Sequence, residues 1–156
     1  SMGGMIAQSV AYDFPERARS LISIMSTTWA PHLPPPGREQ EQAISDMNES
    51  SAEQAENLEK IGFYPTALPN QVTAILSGGD RTTQVRTIEA PTLVLHGADD
   101  ELLSVEHGKH TAEVISGAKL KIYKNMGHSL PDHVIPEMVD DILDHLSTKP
   151  KPASSE

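Results

Sequence analysis

A serine, an aspartate and a histidine stand beside turn-forming glycines in the sequence and together could perform nucleophilic catalysis. Ser1 opens the tetrapeptide Ser-Met-Gly-Gly, Asp100 lies three residues after Gly97, and His128 follows Gly127. A serine hydroxyl attacks a carbonyl carbon when an imidazole takes its proton and a carboxylate holds that imidazole. The sequence therefore predicts Ser1, Asp100 and His128 as a catalytic set, provided that the fold brings them together.

Short apolar segments predict the elements that must position these residues. Three segments have the length and composition of strands: 19–25, 92–96 and 119–123. Apolar spacing predicts helices over 2–12, 70–76, 81–85, 105–115 and 131–146. Strands that alternate with helices predict an α/β fold with a parallel sheet and flanking helices. Asp100 and His128 each follow a predicted strand, so both are expected at the edge where open α/β sheets assemble their sites.

The composition disfavours two large classes of partner. The 156 residues carry a net charge of −10, which repels nucleic-acid phosphates and anionic membranes. Six aromatic residues are too few for a base-stacking platform, and no apolar run reaches the ~20 residues of a membrane span. The N-terminus lacks the basic-then-apolar pattern of a signal peptide. We therefore expect no nucleic-acid partner, no membrane partner and a cytoplasmic location.

The sequence also predicts no metal and no cofactor. Because cysteine is absent, there is no thiol nucleophile, no disulfide and no thiolate metal ligand. His107 and His110 are three residues apart on a predicted helix and could share a metal ion. No third histidine or carboxylate is required to join them, so we interpret this pair as capping or solvated side chains.

The sequence resembles the C-terminal half of an α/β-hydrolase, of the esterase-like kind that includes the anthracycline methylesterases. The resemblance rests on segments 1–8, 14–17, 62–65, 91–97, 106–110 and 127–131. It implies an α/β-hydrolase fold with a short helical cap insertion. In that family the triad residues occur in the order serine, acid, histidine, which is the order found here.

The resemblance assigns a role to each residue of the predicted site. Ser1 matches the nucleophile of the strand-to-helix elbow, with Gly3 as its final glycine, Asp100 matches the acid and His128 the general base. The backbone N–H of Met2 would bind the oxyanion. The implied reaction is hydrolysis of a small-molecule carboxylic ester through an acyl-enzyme, and a perhydrolase would use the same three residues.

The resemblance also divides the chain. Residues 1–28 would begin the C-terminal half of the hydrolase core, 29–76 would form the cap, 77–147 would complete the core, and 148–156 would be a disordered tail. The cap contains a strongly acidic stretch, which is interpreted as solvated helices.

Four side chains are expected to contact substrate. Trp29, Phe63 and Tyr64 stand at the edges of the predicted cap, where they could line an apolar pocket or anchor the cap to the sheet. Met126 lies two residues before His128 and is predicted to lie near the substrate.

The first half of the elbow, its strand and the glycine-containing oxyanion loop are not among these residues, so the chain alone is expected to be weakly active or inactive.

Two alternatives to the ester-hydrolase interpretation remain open from the sequence. The chain could be a non-catalytic truncated fragment or an interaction module. It would then pair with a complementing chain, or with a second copy, through an exposed edge of the strand over 19–25. The second alternative is that the α-amino group of Ser1 acts as the base, as in N-terminal nucleophile hydrolases, although the predicted βα pattern does not match the fold of those enzymes.

Overall fold

A computed structural model describes residues 1–38, 60, 62 and 67–147. The helices are α1 (Met2–Asp13), α2 (Ala67–Ser77), α3 (Thr82–Val85), α4 (Val105–Val114) and α5 (Ile135–Ser147). The strands are β1 (Leu21–Ile24), β2 (Thr92–Gly97) and β3 (Lys119–Tyr123), and a single 3-10 turn covers Pro15–Arg17.

The three strands form one parallel sheet in the order β1-β2-β3, which confirms the predicted α/β architecture. Leu21 of β1 pairs with Thr92 of β2, and Gly97 of β2 pairs with Tyr123 of β3. The central strand β2 is buried along its whole length, as expected for a parallel strand covered on both faces. Within the part of the chain that the structure describes, β1 is an edge strand.

Helices cover both faces of this sheet. Ile22 and Ile24 pack with the cluster that joins β2 and β3 to α5, whereas Leu21 packs with the cluster that contains Ala11 of α1 and Val85 of α3. Successive residues of a strand point to opposite faces. The sheet therefore lies between α5 on one side and the layer of α1 and α3 on the other.

The predicted boundaries shift at several places. Helix α5 begins at Ile135 and not at Pro131, because residues 131–134 form a turn in which Val134 N–H bonds the Pro131 carbonyl at 2.9 Å. Helix α2 is longer than predicted at both ends. Residues 39–59, 61, 63–66 and 148–156 lie outside the described residues, so the acidic stretch, Phe63, Tyr64 and the tail stay predictions, as do the domain boundaries.

Gly4 lets α1 approach the chain that follows β1. A Cβ on Gly4 would lie 2.6 Å from the Cβ of Ser26, whereas a Cβ on the neighbouring Gly3 would meet nothing within 4 Å. The elbow pattern pointed to Gly3 as its final glycine, but the close contact among the described residues falls on Gly4. This contact seats the first turn of α1, and therefore Ser1, against the end of β1.

Replacing the two glycines should separate packing from helix propensity. We expect Gly4→Ala to lower the free energy of unfolding by about 1–3 kcal/mol, because Ser26 would have to shift. Gly3→Ala is the matched control and should leave that free energy unchanged or raise it by up to about 1 kcal/mol, since alanine favours a helix. Urea unfolding followed by circular dichroism measures both, and equal destabilisation by the two substitutions would contradict the contact.

Candidate active site

The loops after β2 and β3 are tied together where the two strands end. The Ala98 N–H bonds the Tyr123 carbonyl at 2.8 Å, and the Asp99 N–H bonds the Met126 carbonyl at 3.0 Å. Gly97 makes this approach possible, because a Cβ there would lie 2.1 Å from the Met126 carbonyl oxygen. The close packing places the residues that follow Met126 directly beside Asp100.

The side chains of Asp100 and His128 contact each other at this edge of the sheet. The His128 Nδ1 and Asp100 Oδ2 atoms are 2.8 Å apart. The other carboxylate oxygen, Oδ1, accepts the backbone N–H groups of Leu102 at 3.0 Å and Leu103 at 2.9 Å. The carboxylate therefore has partners on both oxygens although its side chain is buried.

Opposing effects act on the pKa of Asp100. Burial by itself raises the pKa of this carboxyl, but hydrogen bonds from His128, from His96 and from the Leu103 N–H lower it, and the net pKa lies well below the ordinary value. Asp100 is therefore ionised at neutral pH. An ionised carboxylate only accepts hydrogen bonds, so the proton between the two side chains belongs to Nδ1 of His128.

The second nitrogen of His128 is left as a base. With the proton on Nδ1, neutral His128 carries a lone pair on Nε2. That Nε2 atom is buried and has no hydrogen-bond partner among the described residues, while 18% of the side chain remains accessible. A proton acceptor held by a carboxylate and left without a partner is suited to general-base chemistry.

Ser1 lies at the same edge of the sheet. Its α-amino group donates to the Ile24 carbonyl at 2.6 Å, at the end of β1. Burial lowers the pKa of that amino group to about 6, and the negative charge of Asp100 opposes the shift, which places Ser1 within the field of the carboxylate. Its hydroxyl makes no hydrogen bond with His128 in this structure. The structure therefore pairs Asp100 with His128 and brings Ser1 to the same edge without pairing its hydroxyl with the histidine.

Met2, to which the resemblance assigns an oxyanion-donor role, directly follows Ser1. It is the first residue of α1, and the N–H groups in the first turn of a helix have no acceptor within that helix. The helix macrodipole adds positive potential at this end. The backbone here is suited to stabilising a negative oxygen next to Ser1.

An apolar pocket of about 270 Å³ opens beside Ser1. Trp29 lies in its wall, together with side chains of α1, α2 and the loop after Asp100, among them Met5, Ile75 and Leu102. Met126 lies elsewhere. Its side chain has 0% exposure and packs in the core between the sheet and α5, so the structure gives it a packing position and not a place at this pocket.

Comparison with curated proteins finds partial matches. A non-heme haloperoxidase from Rhodococcus erythropolis is 35% identical over 52 residues, which is 33% of this chain and 19% of that protein. A bifunctional esterase/perhydrolase from Acinetobacter calcoaceticus is 35% identical over 65 residues, which is 41% of this chain and 24% of that protein. No protein-family model matches the sequence.

Solved structures match over most of the chain. A hydrolase from Pseudomonas aeruginosa superposes with a TM-score of 0.69 at 22% identity, covering 93% of this chain and 62% of that one. An enol-lactonase from Burkholderia xenovorans superposes with a TM-score of 0.66 at 14% identity, covering 94% of this chain and 63% of that one.

The chain has the fold of these solved structures, and parts of its sequence are similar to a haloperoxidase and an esterase/perhydrolase. It spans less than two thirds of the length of the α/β-hydrolase structures that it matches. No helix in the described part of the chain is long and apolar enough to cross a membrane.

His96 precedes a glycine at the end of a strand, a position that favours a packing or supporting role over a catalytic one. His96 is fully buried, and its Nε2 atom lies 2.8 Å from the Leu103 carbonyl and 3.4 Å from Asp100 Oδ2. Because a carbonyl only accepts hydrogen bonds, His96 Nε2 carries a proton and donates it to the Leu103 carbonyl, in the loop that contains Asp100. Gly108 of α4 makes room for the ring, since a Cβ there would lie 2.6 Å from His96 Nδ1. A glycine within a predicted helix was the sequence signal for this contact.

His107 and His110 contact the segment that follows β1. His107 is buried and both of its ring nitrogens have hydrogen-bond partners, Thr27 and the Pro34 carbonyl. His110 contacts Thr28 and packs edge-on against His32, with ring centroids 4.8 Å apart. His32, for which the sequence offered no partner, is therefore part of this contact. His107 is therefore not a solvated side chain, whereas His110 is partly exposed, and both histidines connect α4 to the segment after β1.

Proposed function

We propose that this chain carries the Ser-His-Asp triad of a carboxylic-ester hydrolase, with Ser1 as nucleophile, His128 as general base and Asp100 as the acid that orients it. One observation carries the proposal: His128 donates from Nδ1 to a buried, ionised Asp100 and keeps Nε2 without a partner. This is the state in which an imidazole can take a proton from a serine hydroxyl.

The reaction would proceed in two halves. Ser1 Oγ bonds to the acyl carbon as its proton passes to His128 Nε2, and the ester C–O bond breaks as His128 gives that proton to the leaving alcohol. Water then attacks the acyl carbon and passes a proton to His128, which returns it to Ser1 Oγ as the acid departs. The Met2 N–H would stabilise the oxyanion in both halves.

The pocket beside Ser1 supports an apolar group in the substrate. Its wall consists almost entirely of methionine, valine, isoleucine, leucine, proline and tryptophan side chains. Such a surface binds an apolar acyl or alcohol part of a small ester and offers little to a charged one. A size of about 270 Å³ suits a small molecule.

The 156-residue chain should be a weak catalyst on its own. The family resemblance assigns the second oxyanion donor to a glycine-containing loop that this sequence does not contain. Losing one such donor costs about 10²–10³ in kcat. The limited share of each related hydrolase that the chain spans supports this expectation.

Perhydrolysis is a second candidate function. One relative is named a bifunctional esterase/perhydrolase and another a non-heme haloperoxidase. In that reaction hydrogen peroxide replaces water: its oxygen attacks the acyl carbon, His128 takes its proton, and a peracid leaves as Ser1 regains its hydrogen. A peracid formed from an ester only when peroxide is added would favour this activity.

A role as a pairing module is favoured by a different observation. Ile6 and Val10 of α1, and Phe14 directly after the helix, are spaced four residues apart and are 55%, 43% and 52% exposed. Separately, β1 is the edge strand of the described sheet, and an open strand edge and an exposed apolar stripe both favour association. A complementing chain or a second copy would cover them.

Covalent labelling separates these functions. We expect an organophosphonate that carries an apolar group to react stoichiometrically at Ser1, with the adduct located by peptide mass spectrometry, and Ser1→Ala to abolish it. Ser9→Ala is the matched control on the same helix and should label normally. A folded chain that stays unlabelled would contradict the esterase proposal and favour the pairing module.

A further inference from the structure

The wall of the pocket beside Ser1 depends on one residue with an unusual backbone. Trp29 has φ of 64°, in the left-handed region, which bulky residues rarely adopt because it is strained. Such a conformation persists only when its surroundings hold it. Trp29 also lines the pocket, so whatever holds its backbone helps to set the shape of the pocket.

A continuous chain of hydrogen bonds holds Trp29 in place. The Trp29 N–H donates to Thr27 Oγ1 at 2.8 Å, and Thr27 Oγ1 lies 2.7 Å from His107 Nδ1. His107 Nε2 lies 3.0 Å from the Pro34 carbonyl. The chain starts and ends on the segment over 27–36 that follows β1, and its central member belongs to α4.

The donors and acceptors of this chain are fixed by chemistry. The Pro34 carbonyl only accepts, so His107 Nε2 carries the proton. Burial lowers the pKa of His107, so the ring is neutral at pH 7 and its Nδ1 accepts the Thr27 hydroxyl proton. The charged or titratable groups that act on this ring are Asp100, His96 and His110. Every member is satisfied only in this one arrangement.

We propose that Thr27 and His107 are positioning residues that fix Trp29 as the wall of the apolar pocket and thereby set which apolar groups fit beside Ser1. The assignment to substrate choice rests on the proposed ester-hydrolase function. The positioning of Trp29 itself does not, because it follows from hydrogen bonds and backbone geometry alone. Neither residue touches the reacting atoms.

Trp29 is the only tryptophan in the sequence, so intrinsic fluorescence reports on this wall without any substrate. We expect Thr27→Val to shift the emission to longer wavelength and to increase quenching by acrylamide, because the Trp29 N–H and His107 both lose their partner. Thr27→Ser keeps the hydroxyl and should retain the emission of the unsubstituted chain.

Thr28→Val is the matched control. Thr28 is equally buried, and its hydroxyl also contacts a histidine, His110, at 3.0 Å, but no hydrogen bond links it to Trp29. Its emission should match that of the unsubstituted chain. If Thr27→Val does not fold, as judged by far-ultraviolet circular dichroism, His107→Leu carries the test with the same expected shift.

Ester kinetics form the second readout. In Thr27→Val we expect KM to rise about fivefold for an ester with a long apolar acyl chain, the factor that corresponds to one hydrogen bond of ordinary net strength. The KM for an acetyl ester and the kcat values should stay unchanged, a split that general destabilisation would not produce.

The outcomes separate the two claims. Identical emission and quenching in folded Thr27→Val, folded His107→Leu and Thr28→Val would overturn the positioning of Trp29. A fluorescence shift confined to Thr27→Val and His107→Leu supports it. The same shift in a chain that neither cleaves esters nor labels at Ser1 would keep the positioning and overturn only its use by an ester substrate.

Discussion

Replacing His128 by glutamine is expected to slow the labelling of Ser1 by an organophosphonate by about 10⁴-fold or more, because the serine loses its proton acceptor. Glutamine offers an amide in place of the imidazole and has no basic nitrogen. The free energy of unfolding should change little compared with the labelling rate, since His128 is partly accessible and its Nε2 atom makes no hydrogen bond in the described structure. Labelling rates from intact-protein mass spectrometry measure the effect.

His133→Gln is the matched control for this substitution. His133 is exposed and lies five residues from His128 in the turn that leads into α5. It should label at the rate of the unsubstituted chain. Similar losses in the two glutamine variants would show that His128 does not act as the base.

Asp100→Asn is expected to reduce the labelling rate by about 10³–10⁴-fold while preserving the local backbone. The asparagine carbonyl can still accept the Leu102 and Leu103 N–H groups that Asp100 Oδ1 accepts. Its amide, however, would donate to His128 Nδ1 and so move the imidazole proton to Nε2. A protonated Nε2 cannot take the serine proton.

The same substitution should also change the response of stability to acid. The pKa of folded Asp100 lies below its ordinary value of 3.8, so its carboxylate stabilises the fold above about that pH and this contribution is lost as the pH falls toward the folded pKa. The Asn variant should lack this part of the acid dependence. Urea unfolding at pH 7 and below pH 4 measures it.

Asp99→Asn is the control for both effects. Asp99 is exposed and precedes Asp100 directly, so its replacement should leave the labelling rate and the acid dependence unchanged. An Asp100→Asn variant that labels as fast as Asp99→Asn would contradict the role of Asp100 in holding His128.

The sheet was predictable because its strands carry strong local signals. β2 follows Pro91 and contains Leu-Val-Leu at its centre, and such an apolar run suits a strand that is buried on both faces. The start of α5 was harder to predict. Its apolar stripe extends back to Val134, yet the chain turns there, and a turn that depends on one carbonyl contact leaves no periodic pattern.

The order and spacing of Asp100 and His128 allowed their pairing to be foreseen, whereas the supporting contacts were not. His96, His107 and Thr27 are ordinary residues in their own segments, and their contacts join positions between 7 and 80 residues apart. For Met126 the sequence predicted a contact that the structure does not show. Its nearness to His128 in sequence suggested a substrate contact, but the turn after β3 places its side chain in the core cluster between the sheet and α5.

A crystal structure of the organophosphonate adduct tests the central claim most directly. The account predicts a covalent bond from Ser1 Oγ to phosphorus, with His128 Nε2 within hydrogen-bonding distance of the adduct and His128 Nδ1 still bonded to Asp100. Phosphorus bound to another residue, or a His128 ring turned away from the Ser1 adduct, would contradict it.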